Sequence, residues 1–162
     1  MATTPKKPVA RLEVKKTYKL YINGAFPRSE SGRVYEVLTS KGASIANPSL
    51  ASRKDLRDAV VAARAAQSGW AKATAYNRGQ ILYRIAEMLE GRTDQLVTEI
   101  SLATGVSTKK AHDEVLAAID RWVWYAGWSD KLSAAFGSTN PVSGPYYNFT
   151  IPEPQGVIAV AP

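Results

Sequence analysis

Apolar and polar positions alternate along "YKLYINGAFPRSESGRVYEVLTS", residues 18–40. A period of two predicts half-buried strands, roughly Lys19–Ile22, Ala25–Pro27 and Arg33–Leu38, paired antiparallel. Asn23-Gly24 falls between the first two runs and supplies the positive φ of a tight hairpin turn. Ser29-Glu30-Ser31-Gly32 makes the next turn.

The period then changes. From "ANPSLASRKDLRDAVVAARAAQSGW" onward the apolar residues recur every three to four positions, the signature of amphipathic helices. Ser52 is placed to cap the first helix, with Asp55 three residues on completing an approximate capping box. Leu56, Val60, Ala63 and Gln67 form its stripe, and Gly69 before Trp70 reads as its stop. In the second helix Ile81, Leu82, Ile85, Met88 and Leu89 form the apolar face, and Gly91 ends it as a C′ residue. In the third, Leu96, Val97, Ile100 and Ala103 form the face and Gly105 ends it. "STKKAHDEVLAAIDRWVWYAGWSDKLSAAFG" predicts one long helix capped by Ser107. Ala111, Val115, Ala118, Ile119, Trp122 and Ala126 share its main face. Trp124, Tyr125 and Trp128 widen the apolar surface beyond one face, so several partners must cover it.

The last stretch, "STNPVSGPYYNFTIPEPQGVIAVAP", is first rich in Pro and Gly and then alternates. Tyr147, Phe149 and Ile151 point one way, and Tyr146, Asn148 and Thr150 the other. Pro152 and Pro154 confine the end of that strand to an edge. Val157–Ala161 is an apolar run between Gly156 and Pro162. It reads as a buried strand, yet no sequence follows to flank it.

Composition fits a globular protein: 45% apolar and 22% charged over 162 residues. The net charge is +7, but residues 1–20 carry six basic side chains against Glu13 alone, a net of +5. The basicity belongs to a leading tail, taken as residues 1–18. No aromatic residue precedes Tyr18 there and no recognition motif follows, so the tail reads as a flexible solubilising extension rather than a nucleic-acid contact. No run of 18 apolar residues is present, and the start lacks the apolar core of a signal peptide, so the expectation is a cytoplasmic protein without a membrane span.

Candidate chemistry is sparse. With no cysteine and the single His112, disulfides, thiolate nucleophiles and clustered His/Cys metal sites are excluded by count. The carboxylates Asp113-Glu114, Glu87, Glu90 and Glu99 sit at solvent-side helical spacings and read as a solvated face, with Glu87 paired to Arg84. As a general base His112 would need a nucleophile and an orienting acid, and Asp113 points about 100° around the helix from it. Trp122, Trp124, Tyr125 and Trp128 could stack bases or sugars, but their helical spacing reads as core or interface. No Gly-rich phosphate loop occurs. The chain thus offers no catalytic, cofactor-binding or metal site residue.

The order of the pieces nevertheless resembles the amino-terminal portion of the aldehyde dehydrogenase superfamily over residues 19–162. "KLYINGAFPRSESGRVYEV" is similar to its opening strands. The Ala-rich helix ending in Trp70, "NRGQILYRIAEMLE" and the Glu99-x-x-x-x-Thr104-Gly105 end resemble the helices that follow. "EVLAAIDRWVWYAGWSDK" resembles its long helix, and "PYYNFTIPEPQGVIAV" its EP-x-GV segment. The resemblance implies an incomplete α/β fold: small antiparallel strands, a four-helix segment and a β-arm, then the first strand of a Rossmann-like sheet. It implies domains at 19–137 (amino-terminal part of a cofactor-binding domain), 138–155 (oligomerisation-type arm) and 156–162 (first sheet strand). In the family a Pro-Trp-Asn loop usually follows that strand. The catalytic Cys, Glu base, Gly-rich cofactor turn and adenosine-binding Lys then lie beyond Pro162. Gly105-Val106-Ser107 departs from the frequent Gly-Lys-Pro, and the spacing from Gly156 to Pro162 is one residue shorter than the commonest pattern.

The resemblance implies oxidation of an aldehyde to a carboxylate with NAD or NADP in the complete enzyme, through a Cys thiohemiacetal. With no Cys, this chain alone is expected to bind no cofactor and to be inactive. A second reading is a non-catalytic interaction module or inert remnant. It would associate with itself or with a full-length family member through residues 145–152.

Overall fold

The computed structural model describes residues 14–161. The amino-terminal strand layer holds β1 (Val37–Leu38) and β2 (Ser44–Ala46), followed by α1 (Arg53–Lys72), α2 (Ala75–Glu90) and α3 (Thr93–Thr104). Next come α4 (Thr108–Trp128), α5 (Leu132–Phe136), β3 (Ser138–Thr139) and β4 (Phe149–Thr150).

The hairpin forms at Asn23-Gly24. Their φ values, 52° and 74°, are both positive, as a type I′ turn requires, and Ile22 and Ala25 exchange backbone hydrogen bonds at 3.0 and 3.1 Å. The third expected strand pairs elsewhere. Leu50 N–H donates to Arg33 O and Tyr35 N–H to Pro48 O, and Val37 pairs with Ala46. The central run is β2, extended past Ala46 by an isolated bridge between Ser49 and Val34; the alternation did not reveal it, because Asn47, Pro48 and Ser49 interrupt its apolar pattern. Asn47 and Ser49 N–H groups also donate to Lys16 and Tyr18 carbonyls at 2.9 Å. The ladder therefore reaches Lys16, inside the segment expected to be tail; residues 1–13 lie outside the described residues.

The capping box on α1 forms as expected, with Ser52 and Asp55 satisfying each other's backbone N–H groups. Gly69 does not stop the helix. An interior Gly costs only about 1 kcal/mol, and α1 runs on until Ala73 turns extended and Thr74 caps α2. Gly91 is the C-cap of α2 with right-handed φ, −64°; it is not a left-handed C′ residue. Gly105, at φ 75°, is left-handed and ends α3.

The expected long helix is two. Ser129 Oγ donates to Tyr125 O, and Lys131 Nζ donates to Gly127 O. These bonds satisfy the last carbonyls of α4, and α5 restarts after Lys131. Helix α4 is the hub, packed against α2 on one side and α3 on the other. Its main face is the one the spacing marked. Ala111 and Val115 are buried with Val97 of α3, and Leu96, Ile100, Val106 and Ile119 pack around them.

At the carboxyl end β3 pairs antiparallel with β4, Thr139 opposite Phe149. Asn140 braces the pair through Asn148 Oδ1 and Thr150 Oγ1. Val157–Ala161 has no strand partner among the described residues. The core is small for the chain. The accessible surface is 13657 Å², against roughly 7,900 Å² for a compact monomer of this mass.

Candidate functional site

Three places gather polar or aromatic groups. The first is a clasp at the start of α1. The buried Asp55 carboxylate accepts from Ser52 N–H at 2.7 Å, Ser29 Oγ at 2.7 Å and Glu30 N–H at 3.1 Å. The Ser52 N–H, then the Ser29 hydroxyl, hold its pKa down to about 2 from an ordinary 3.8. Ser29 Oγ also lies 2.9 Å from Leu50 O. The clasp ties the turn at residues 29–32, the end of the central strand and the first turn of α1 together. Both Asp55 oxygens accept hydrogen bonds from the fold, Oδ2 two and Oδ1 one, so this reads as a structural carboxylate rather than a general base.

The second is a groove of about 290 Å³ between α2 and α4, lined by Tyr76, Gly79, Gln80, Tyr83, Val123, Gly127, Asp130 and Lys131 among others. It exists because Gly79 lets the helices approach: a Cβ there would stand 3.1 Å from Ala126 O. Its one cation, Lys131, is committed to Asp130 at 3.0 Å and to Gly127 O, and that contact lowers the Asp130 pKa.

The third is aromatic. Trp124 stacks edge-on to Tyr125 at 5.0 Å and tilted against Trp128 at 5.5 Å, and Trp128 continues to Phe136 at 6.4 Å. On the arm, Tyr147 and Phe149 lie 5.2 Å apart. Trp124, Tyr125, Tyr146 and Tyr147 are all exposed. Sequence spacing identified these side chains, and the structure leaves Trp124 and Tyr125 outside the core.

The other candidates stay apart. Glu87 accepts from Arg84 at 2.6 Å. Asp113 is bound by Lys109 at 2.7 Å, which lowers its pKa and raises that of Lys109. His112 is exposed on α4, and no nucleophile is joined to it. Among the described residues no three His, Cys, Asp or Glu side chains converge on a metal position. No described helix is long and apolar enough to cross a membrane.

Among the described residues, neither the clasp nor the α2–α4 groove presents the anion site that a dinucleotide would use. Its pyrophosphate needs converging N–H groups at a Gly-rich turn or free cations. Gly156 opens an unpaired run, and Lys131, the cation of the α2–α4 groove, is paired. The clasp is what sequence reasoning saw only in part. Asp55 was legible as a cap, whereas its bond to Ser29, 26 positions away, carries no local signal.

The sequence profile of the aldehyde dehydrogenase family matches residues 26–161. Retinal dehydrogenase 2 of Gallus gallus is 38% identical over 155 residues, 93% of this chain and 29% of that protein. An aldehyde dehydrogenase structure from Bacillus cereus superposes with a TM-score of 0.77 at 28% identity, covering 86% of this chain and 30% of that one. An NAD-dependent benzaldehyde dehydrogenase from Corynebacterium glutamicum gives 0.72 at 28% identity, over 78% and 27%. The strands and five helices match the amino-terminal part of that fold. The chain spans less than a third of the length of the curated relatives it matches.

Proposed function

The chain belongs to the aldehyde dehydrogenase family, and from that premise we propose that it is the amino-terminal, non-catalytic part of an NAD(P)-dependent aldehyde dehydrogenase. In this reading residues 19–137 are the start of the cofactor-binding domain. Residues 138–155 are an oligomerisation-type arm, and 156–162 the first strand of the nucleotide-binding sheet. The protein works in the cytoplasm. The chain alone turns over no aldehyde, because it has no Cys to supply a thiolate. The benzaldehyde dehydrogenase likeness supports NAD as the cofactor of the complete enzyme. The relatives act on aldehydes as different as retinal and benzaldehyde, so the substrate class is held at aldehydes.

The observation that carries this reading is the large uncovered apolar surface on a chain whose family membership is established. Tyr146, Tyr147 and Ile151 project from the arm, and residues 145–152 would pair with a second copy or with a full-length family member by strand addition. The test has two parts. Purified chain, given NAD+ or NADP+ and a panel of aldehydes, should yield no NADH or NADPH; signal that scales with chain concentration and survives repurification defeats the reading. Mixed with a full-length family member, the chain should co-elute, and Tyr147→Lys should abolish co-elution.

A further inference from the structure

We propose that Ser31 is a phosphorylation site whose modification opens the Ser29–Asp55 clasp and releases the turn at residues 29–32 from the start of α1. Ser31 is exposed in a hydrogen-bonded turn, with Gly32 N–H donating to Ser29 O at 2.9 Å. Arg28 stands three residues ahead of it, a spacing that an acidic groove of a basic-directed protein kinase would recognise. The γ-phosphoryl group of a nucleoside triphosphate passes to Ser31 Oγ. The Oγ–P bond forms, the bond to the bridging β–γ oxygen breaks, the hydroxyl proton goes to the kinase base, and nucleoside diphosphate leaves.

The consequence follows from the hydrogen-bond accounting. Ser29 has one hydroxyl proton, and the nearest charged acceptor is Asp55 Oδ2 at 2.7 Å. With that proton committed, Ser29 turns lone pairs toward Ser31, whose Oγ is 3.1 Å away and acts as the donor. Phosphorylation removes this donor and puts about −2 of charge against those lone pairs, with the Asp55 carboxylate immediately behind. Lys54, a nearby cation, is already engaged by Glu30 at 3.6 Å. The close helix contacts are α2 with α4 and α3 with α4. α1 stands outside them and meets the hairpin at residues 21–24 along Ala59, Ala62, Ala63 and Ala66, so the clasp is what fixes its first turn to the turn at residues 29–32.

The test uses the 162-residue chain with phosphoserine encoded at position 31, beside the unmodified chain and Ser31→Ala, with amide exchange read by NMR. In the phosphorylated chain the Glu30 and Ser52 amides should exchange about tenfold faster or more, while α2–α4 amides keep their protection. Ser31→Ala should leave Glu30 and Ser52 close to the unmodified rates. Unchanged rates in the phosphorylated chain overturn the proposal, and so does loss of protection throughout. A basic-directed kinase with MgATP should label Ser31 in the folded chain and lose that activity in Arg28→Ala. Labelling of a free peptide spanning residues 27–34 but not of the folded chain also overturns it.

Discussion

Gly79 of α2 faces the backbone of Ala126 in α4 so closely that an added Cβ would stand 3.1 Å from Ala126 O and 3.3 Å from Ser129 Cβ. The first neighbour is main chain, which cannot swing aside as a flexible side chain can. The α2–α4 contact is therefore limited by this one position. Gly79→Leu should push the helices apart at a cost of about 1–3 kcal/mol, seen as a lower urea midpoint with unchanged slope. A stability equal to the parent chain would mean that the helices are not in this contact in solution.

The clasp gives a pH dependence with a definite sign. Asp55 is held near pKa 2 when folded, below its ordinary 3.8. A depressed carboxylate stabilises the fold above the unfolded pKa and loses that contribution as pH falls from about 4 toward 2. Melting temperature should drop across that window, and Asp55→Asn should lower the plateau and flatten the drop. Asp113 and Asp130 are also depressed, but by exposed lysine partners, so their share should fade in high salt while that of Asp55 persists. If 0.5 M salt (about a 4 Å screening length) removes the whole drop, Asp55 is not its source.

Ser107 starts the hub helix. Its side chain accepts from Lys110 N–H at 3.3 Å, and no acidic residue in the first turn supplements it. Ser107→Ala should cost about 1 kcal/mol, while Ser107→Asp should hold or raise stability through the helix dipole. Chemical denaturation of the three chains checks the order Asp ≥ Ser > Ala.

What the sequence disclosed follows the range of each signal. Helix faces repeat every few residues, so spacing alone places Ala111, Val115 and Ile119 on the inner face of the hub, where they pack. The I′ turn was legible because Asn23-Gly24 is a local chemical requirement. Pairing partners are not local. The run from Ser44 to Leu50 lies between Arg33–Leu38 and Lys16–Tyr18 through contacts that Pro48 and Asn47 conceal. The Ser29–Asp55 bond spans 26 positions. Leu56 belongs by spacing to the apolar stripe of α1 and is 65% exposed, because none of the described residues packs over that part of the helix. Spacing identifies a face that wants covering, and only the fold shows whether a cover is present.

The uncovered aromatics set the last expectation. Trp124, Tyr125 and Phe136 are 56%, 58% and 64% exposed, and Tyr146, Tyr147 and Phe149 on the arm 75%, 76% and 53%. Aromatic side chains bury roughly 200 Å² each, so these six present about 760 Å² together, close to the roughly 800 Å² per partner of a standard interface. A chain with that much apolar surface in water should associate. Sedimentation velocity from 1 to 100 μM, near the Kd range of about 1 μM that separates weak from stable pairs, should show a shift away from monomer. Trp124 and Trp128 emission should move to shorter wavelength over the same range as water leaves the rings. Tyr146→Lys with Tyr147→Lys should return the chain to monomer without altering its far-UV spectrum, since neither side chain contributes to the α3–α4 core. A monomer at 100 μM with unshifted emission would mean that this surface is content in water and that the arm does not mediate assembly.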